Sequence, residues 1–201
     1  MESRAVKGPA LFLDRDGTII EDVGNLADPA DIRIIPGVLP VLRELGNRYP
    51  LFVVSNQVGI SQGALTHQQV DEVHRILGRM LLDEGIEIWE WYVCPHAQAD
   101  NCGCRKPSPY YLREAADSYR IDLAHSFMVG DHPSDPLTGK AAGAFGLYVL
   151  TGHGMHHLEE LPQEFPVFHN LAEAGKWILA HPSPREYFEE ATDAGAEALR
   201  E

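Results

Sequence analysis

The residues able to do chemistry sit where short apolar runs stop. "ALFLDRDGTII" breaks into Asp14 and Asp16 and then turns at Gly17. Residues two apart on an extended segment point the same way, so both carboxylates can face one crevice while Arg15 points elsewhere. Gly17 permits the sharp turn. Further on, "LFVVSNQ" ends in Ser55, Asn56 and Gln57, and "FMVGDHPSD" supplies Asp131 and Asp135. If these runs are neighbouring strands of an open sheet, their carboxyl ends meet at one ligand crevice.

Gathering Asp14, Asp16 and Asp131 without a cation is costly, since two like charges about 4 Å apart repel by roughly 4 kcal/mol at an effective dielectric near 20. A divalent ion is implied. Oxygen ligands suit Mg²⁺, which keeps several waters and takes one or two carboxylates plus a substrate phosphate. A carboxylate beside it can attack phosphorus and form an aspartyl-phosphate, splitting one hard displacement into two easier ones. The other carboxylate is then free to move protons. Ser55, the Asn56 side chain and a lysine can hold the equatorial oxygens, and "CRKPSP" offers Lys106 with Arg105 beside it.

The three cysteines all fall between Cys94 and Cys104. Three cannot all pair, and the clustering reads as a metal site rather than as disulfides. "CPHAQADNCGC" presents Cys94, His96, Cys102 and Cys104, two pairs of soft ligands able to surround Zn²⁺ tetrahedrally with no open position. Such a site is structural. Because Arg105 and Lys106 follow its last ligand, the metal would hold a substrate-binding loop in place.

The elements that must position these residues alternate strand and helix, which points to an α/β domain: a Rossmann-like, open, mostly parallel sheet with helices on both faces. Strands are expected at Ala10 to Leu13, Leu51 to Ser55, Ile88 to Val93, Ser126 to Val129 and Gly146 to Leu150, each mostly apolar, as strands covered on both faces should be. "LTHQQVDEVHRILGRMLL" reads as a helix with Thr66 and Gln69 as a capping box and Val70, Val73, Leu77 and Met80 along its apolar face. Ser108 and Pro109 open a helix through Tyr119, Pro136 opens one to Ala144, and Asn170 with Glu173 caps a last one through Ala180. No insertion is large enough for a separate cap domain. Residues 1 to 180 are read as one domain and 181 to 201 as an acidic tail or helix.

Composition narrows the partners. At 201 residues, 44% hydrophobic and 23% charged, the chain matches an ordinary globular protein. A net charge of -14 opposes attraction to nucleic acid or anionic membranes. No apolar stretch approaches a membrane span, and "MESRAVKGPALFLD" lacks the features of a secretory signal, so the expectation is a cytoplasmic protein. It is read as a monomer, and the carboxylate site above gives a small phosphorylated metabolite as its partner.

The motifs in this order, "DRDGT", a Ser after the second strand, a Lys before a helix and an acidic "GDxxSD", resemble the haloacid dehalogenase superfamily of phosphatases over roughly residues 9 to 180. By that resemblance Asp14 is the nucleophile and Asp16 the acid and base. Ser55 and Lys106 clamp the phosphoryl group, while Asp14, the Asp16 backbone carbonyl and Asp131 bind Mg²⁺. The cysteine loop, "SNQVGISQG" and "CRKP" are similar to the D-glycero-D-manno-heptose-1,7-bisphosphate 7-phosphatase family, and histidinol-phosphate phosphatases share the loop. The "NQ-G-I" stretch and "VLTGHG" lean toward the heptose enzymes. The resemblance implies that Asp22 to Asn25 and Ser55 to Val58, including Asn56 and Gln57, line the sugar-phosphate site and that Arg105 reads the rest of the substrate. Gln62 stands where the family commonly has Arg, His132 where a Lys often follows the motif Asp, and Asn25 where a Tyr is frequent.

Plainer readings compete. Paired loop aspartates can be turn formers, Ser55 and Asn56 a strand-end turn, and Lys106 solvated surface. Asp135 can serve the start of a helix as well as a reaction. His153, His156 and His157 receive no role, and Trp89 and Trp91 read as packing. Two other classes compete: a receiver-like signalling module, which also clusters aspartates and a lysine on an α/β sheet, and a zinc-stapled interaction domain in which Asp14 and Asp16 are incidental. A receiver needs a long-lived phosphoaspartate, whereas Asp16 would hasten its hydrolysis.

Overall fold

In the computed structural model, which describes residues 8–182, six strands form one sheet in the order β3-β2-β1-β4-β5-β6, every neighbouring pair parallel. The strands are β1 (Leu11–Leu13), β2 (Leu51–Asn56), β3 (Ile88–Cys94), β4 (Phe127–Gly130), β5 (Phe145–Val149) and β6 (Val167–Phe168). The helices are α1 (Val38–Gly46), α2 (His67–Asp83), α3 (Tyr110–Tyr119), α4 (Ser134–Ala142) and α5 (Leu171–Ala180). From β1 the chain builds outward through β2 and β3, then returns to add β4, β5 and β6 on the other side. The reversal opens a crevice between the carboxyl ends of β1 and β4.

The period-two alternation of the strands separates the two layers. Leu11 and Leu13, with Leu51, Val53, Phe127, Val129, Leu147 and Val149, pack against apolar stripes of α1, α2 and α5. Phe12, Phe52, Val54 and Met128 face the other way onto Leu112 and Ala115 of α3. Burying both faces explains why these strands are apolar at nearly every position.

The expected strands differ from these by a residue or so at their ends, while α1 and the two-residue β6 were not anticipated. Thr66 and Gln69 form the capping box of α2, and Asn170 caps α5 by accepting from the Glu173 N–H. Met80, expected on the apolar stripe, is 37% exposed, and polar His74 is buried on that helix instead. Pro109, rather than Ser108, is the N-cap of α3. Helix α4 opens at Ser134, two residues before Pro136. Among the described residues no cap domain interrupts the sheet, and no helix is long and apolar enough to cross a membrane. Of the acidic segment 181 to 201, residues 183–201 lie outside the described residues.

Candidate active site

The ends of β1, β2 and β4, with the loop after β3, deliver acidic and polar groups to a cleft of about 650 Å³ lined by Asp14, Asp16, Ser55, Lys106 and Asp131, among others. Asp14 and Asp131 come from adjacent strands whose backbones are stitched together by the Asp14 N–H donating to the Val129 carbonyl at 2.9 Å. Asp135 enters from the first turn of α4, where its carboxylate accepts from the His132 N–H at 2.9 Å. Oxygens of Asp14, Asp131 and Asp135 lie within 4.8 Å of one another.

The turn that admits them is built from glycine. Gly17 has φ +72°, and a Cβ there would lie 2.1 Å from the Asp131 carboxylate. Gly130 is equally confined, because a Cβ would fall 2.2 Å from the Asp135 carboxyl carbon. Both positions exclude any side chain so that two carboxylates can close on Asp14.

Lys106 faces this cluster with almost no exposure. Its ammonium lies 2.7 Å from Asp14, 2.6 Å from Asp135 and 2.8 Å from the Val54 carbonyl. Burial works against its charge, but Asp135 and Asp14 outweigh it and hold the ammonium protonated well above the ordinary lysine range. One ammonium among three buried carboxylates leaves negative charge in excess. Burial, then the neighbouring Asp135 and Asp16 against the opposing Lys106, pushes the Asp14 carboxyl up to about 7. Burial, then Asp14 and Asp135, pushes Asp131 up to about 8. A hard divalent cation fits this oxygen set, since it would relieve both shifts and take substrate phosphate as a further ligand.

Asp16 is held apart from the trio. The Arg15 guanidinium contacts its carboxylate from Nη2 at 2.7 Å and from Nε at 3.1 Å, and Gln57 Nε2 donates to its Oδ2 at 2.8 Å. Gln57 also donates to Ser55 Oγ at 2.6 Å, which ties the end of β2 to the loop after β1. The Asn56 amide is engaged at both ends by the Lys106 backbone, accepting from its N–H at 3.1 Å and donating to its carbonyl at 3.4 Å.

The sulfur cluster lies just behind. Cys94, Cys102 and Cys104 have Sγ separations of 3.2, 3.6 and 3.7 Å, and His96 Nδ1 is 3.8 and 3.5 Å from Cys94 and Cys104. A tetrahedron with Zn–S about 2.3 Å and Zn–N about 2.05 Å has edges of roughly 3.8 and 3.6 Å, so the four ligands are already spaced for the ion. Burial first, with the neighbouring thiols adding, pushes Cys94 up to about 12. Burial acts upward on Cys102 too, but the backbone N–H groups of Cys104 and Arg105 outweigh it and bring it down to about 7. Such N–H donors are the surroundings of a metal-bound thiolate.

Residues 103–174 match the HAD-hydrolase-like family model. The chain is 36% identical over 173 residues to the D-glycero-beta-D-manno-heptose-1,7-bisphosphate 7-phosphatase of Helicobacter pylori strain J99, covering 84% of this chain and 96% of that protein. With its Escherichia coli K12 counterpart it shares 35% over 179 residues, 85% of this chain and 88% of that one. The chain belongs to the heptose-bisphosphate phosphatase family. It is therefore a HAD-type phosphatase, a phosphoric monoester hydrolase. The D,D-heptose 1,7-bisphosphate phosphatase of B. bronchiseptica, solved with magnesium and phosphate, superposes with a TM-score of 0.80 at 29% identity, covering 86% of this chain and 99% of that one.

Within this chain the cleft also collects Asp22, Asn25, Asn56, Gln57 and Arg105. Gln62, His132 and Asn25, the three departures from the family pattern, line it as well. The sequence leaves Asp135 open between a helix-end role and the site, and the structure puts its carboxylate in the trio. His153, given no role, reaches the cleft, its N–H donating to Asp131 at 2.7 Å and its Nε2 lying 2.9 Å from Asp22. "VLTGHG" directly after a strand that borders β4 was the available signal for it. Arg15 does point away from the cleft, but it is fully buried and turned onto Asp16.

Proposed function

We propose that this phosphatase removes the 7-phosphate from D-glycero-beta-D-manno-heptose 1,7-bisphosphate, through an aspartyl-phosphate on Asp14. The observation that carries the chemistry is the meeting of Asp14, Asp131 and Asp135 within 4.8 Å, the first two lining the cleft. The substrate is supported by the activity of the relatives at about 35% identity over most of the chain.

An Asp14 oxygen attacks phosphorus while the bond from phosphorus to the sugar oxygen breaks, and Asp16 gives its proton to that departing oxygen. Water then attacks the phosphoryl group, Asp16 takes the water's proton, and inorganic phosphate leaves Asp14 free. Ser55 and Lys106 hold the equatorial oxygens during both steps. Mg²⁺, held by Asp14, the Asp16 backbone carbonyl and Asp131 with Asp135 in reach, would neutralise the charge that otherwise keeps a carboxylate from a phosphate. Zn²⁺ on Cys94, His96, Cys102 and Cys104 would be structural, fixing the loop that ends in Arg105 and Lys106. Asp22, Asn25, Asn56, Gln57 and Arg105 line the sugar-phosphate end.

The test is phosphate release by the purified chain with Mg²⁺ over heptose 1,7-bisphosphate anomers, other sugar phosphates and histidinol phosphate. The beta heptose bisphosphate is expected to have the highest kcat/KM, with chelation of Mg²⁺ abolishing release. A higher kcat/KM for histidinol phosphate or a monophosphate would overturn the substrate assignment.

A further inference from the structure

The side chain between the two motif aspartates is the largest fully buried one among the described residues. Arg15 is 0% exposed, and its guanidinium is shared between two acceptors of different kinds. Nε and Nη2 take the Asp16 carboxylate, while Nη1 lies 3.0 Å from His74 Nε2 on α2. An arginine has only donors, so this contact requires His74 to present its lone pair at Nε2 and carry its proton at Nδ1. His74 is itself pinned, its ring stacked on Trp91 of β3 at 4.7 Å with 24° between planes. Burial and the adjacent Arg15 push His74 down to about 3, which keeps the imidazole a neutral acceptor.

Asp16 is therefore held asymmetrically. Its Oδ2 receives Arg15 Nη2 at 2.7 Å, Gln57 at 2.8 Å and Arg15 Nε at 3.1 Å, whereas Oδ1 has only its share of the same Nε, also at 3.1 Å. We propose that the Trp91–His74–Arg15 stack is a positioning device for the acid–base step, locking Asp16 so that Oδ1 is the oxygen that carries the proton. Arg15 and His74 are positioning residues. This inference rests on the reading of Asp16 as acid and base. In the first step the Oδ1 proton passes to the sugar oxygen as its bond to phosphorus breaks and the Asp14–phosphorus bond forms. In the second Oδ1 recovers a proton from the attacking water.

A displaced general acid slows departure of an alkoxide, which needs the proton, far more than departure of p-nitrophenolate, which does not. The experiment compares kcat/KM for heptose bisphosphate and for p-nitrophenyl phosphate in the full chain, because kcat/KM reports the step that expels the leaving group. His74→Phe keeps a ring on Trp91 and removes the acceptor. It should lose about tenfold or more on the sugar phosphate and several-fold less on the aryl phosphate, and His74→Gln, which restores an acceptor at similar reach, should recover most of the loss. Arg15→Lys, with charge but no fork, should show the same split and serves if His74→Phe does not fold. Equal losses on both substrates, or no loss in either variant, would overturn the positioning role. Asp16→Asn is the reference: a split there without one in the His74 and Arg15 variants removes only this inference. No split in Asp16→Asn removes the acid assignment and this inference with it.

Discussion

The protein carries two ligand clusters that share one connecting loop and are built in opposite ways. The thiol cluster comes from an eleven-residue stretch, Cys94 to Cys104, that folds back on itself. The carboxylate cluster draws on residues more than a hundred positions apart, Asp14 and Asp131, and exists only because β1 and β4 are neighbours. The first is soft, nearly closed and suited to stapling. The second is hard, overcharged and open to a cleft, as a centre must be that admits a phosphoryl group. Lys106 joins them, two residues beyond the last cysteine and in contact with Asp14.

The sharpest way to separate the clusters is to remove one function at a time. Asp14→Asn should abolish Mg²⁺-dependent phosphate release, a loss of at least about a thousandfold, while leaving the thermal midpoint equal or higher. Steady-state assay and calorimetry on the same sample decide it, and retained turnover would remove Asp14 as nucleophile. Cys104→Ser should act in the other order. Metal analysis should fall from one zinc per chain toward none, the thermal midpoint should drop, and activity should fall as a consequence of the loosened Lys106 loop.

A third contrast is in pH. Asp14 and Asp131 carry folded-state values of about 7 and about 8 against 3.8 for the ordinary group, so the folded chain binds these protons more tightly than the unfolded chain does. Their contribution to stability is therefore largest below about pH 4 and is lost as pH rises toward about 8 in metal-free protein. Mg²⁺ should raise the thermal midpoint more at the upper end of that window than at the lower. A Mg²⁺ effect independent of pH would contradict the shared-ion reading. The smallest effect is expected from Asn56→Ala, which cuts the tie between β2 and the Lys106 backbone. It should cost about 1 kcal/mol of stability and raise KM a few-fold with zinc content unchanged.

The two clusters also differ in how far they could be read before any coordinates. Cys94, His96, Cys102 and Cys104 are close in sequence, so their spacing alone suggests a metal. Asp14, Ser55, Lys106 and Asp131 were legible because each follows a short apolar run or the cysteine loop, and parallel sheets bring such ends together. Asp135 was ambiguous because an aspartate in the first turn of a helix looks the same whether it caps or ligates. His74 was invisible, being a polar residue at a buried helix position whose partner, Arg15, is 59 residues away. Met80 shows the complementary limit: an apolar residue on the periodic stripe is 37% exposed, which periodicity alone does not reveal. The short β6 and helix α1 lacked the long alternation or capping signals that revealed the others.

Acid-quenched mass analysis of the purified chain, mixed briefly with Mg²⁺ and heptose bisphosphate, tests the central claim most directly. The peptide containing Asp14 should gain the mass of one phosphoryl group, and the gain should vanish in Asp14→Asn. Turnover with no phosphorylated species, or with the group on any other residue, would contradict the account.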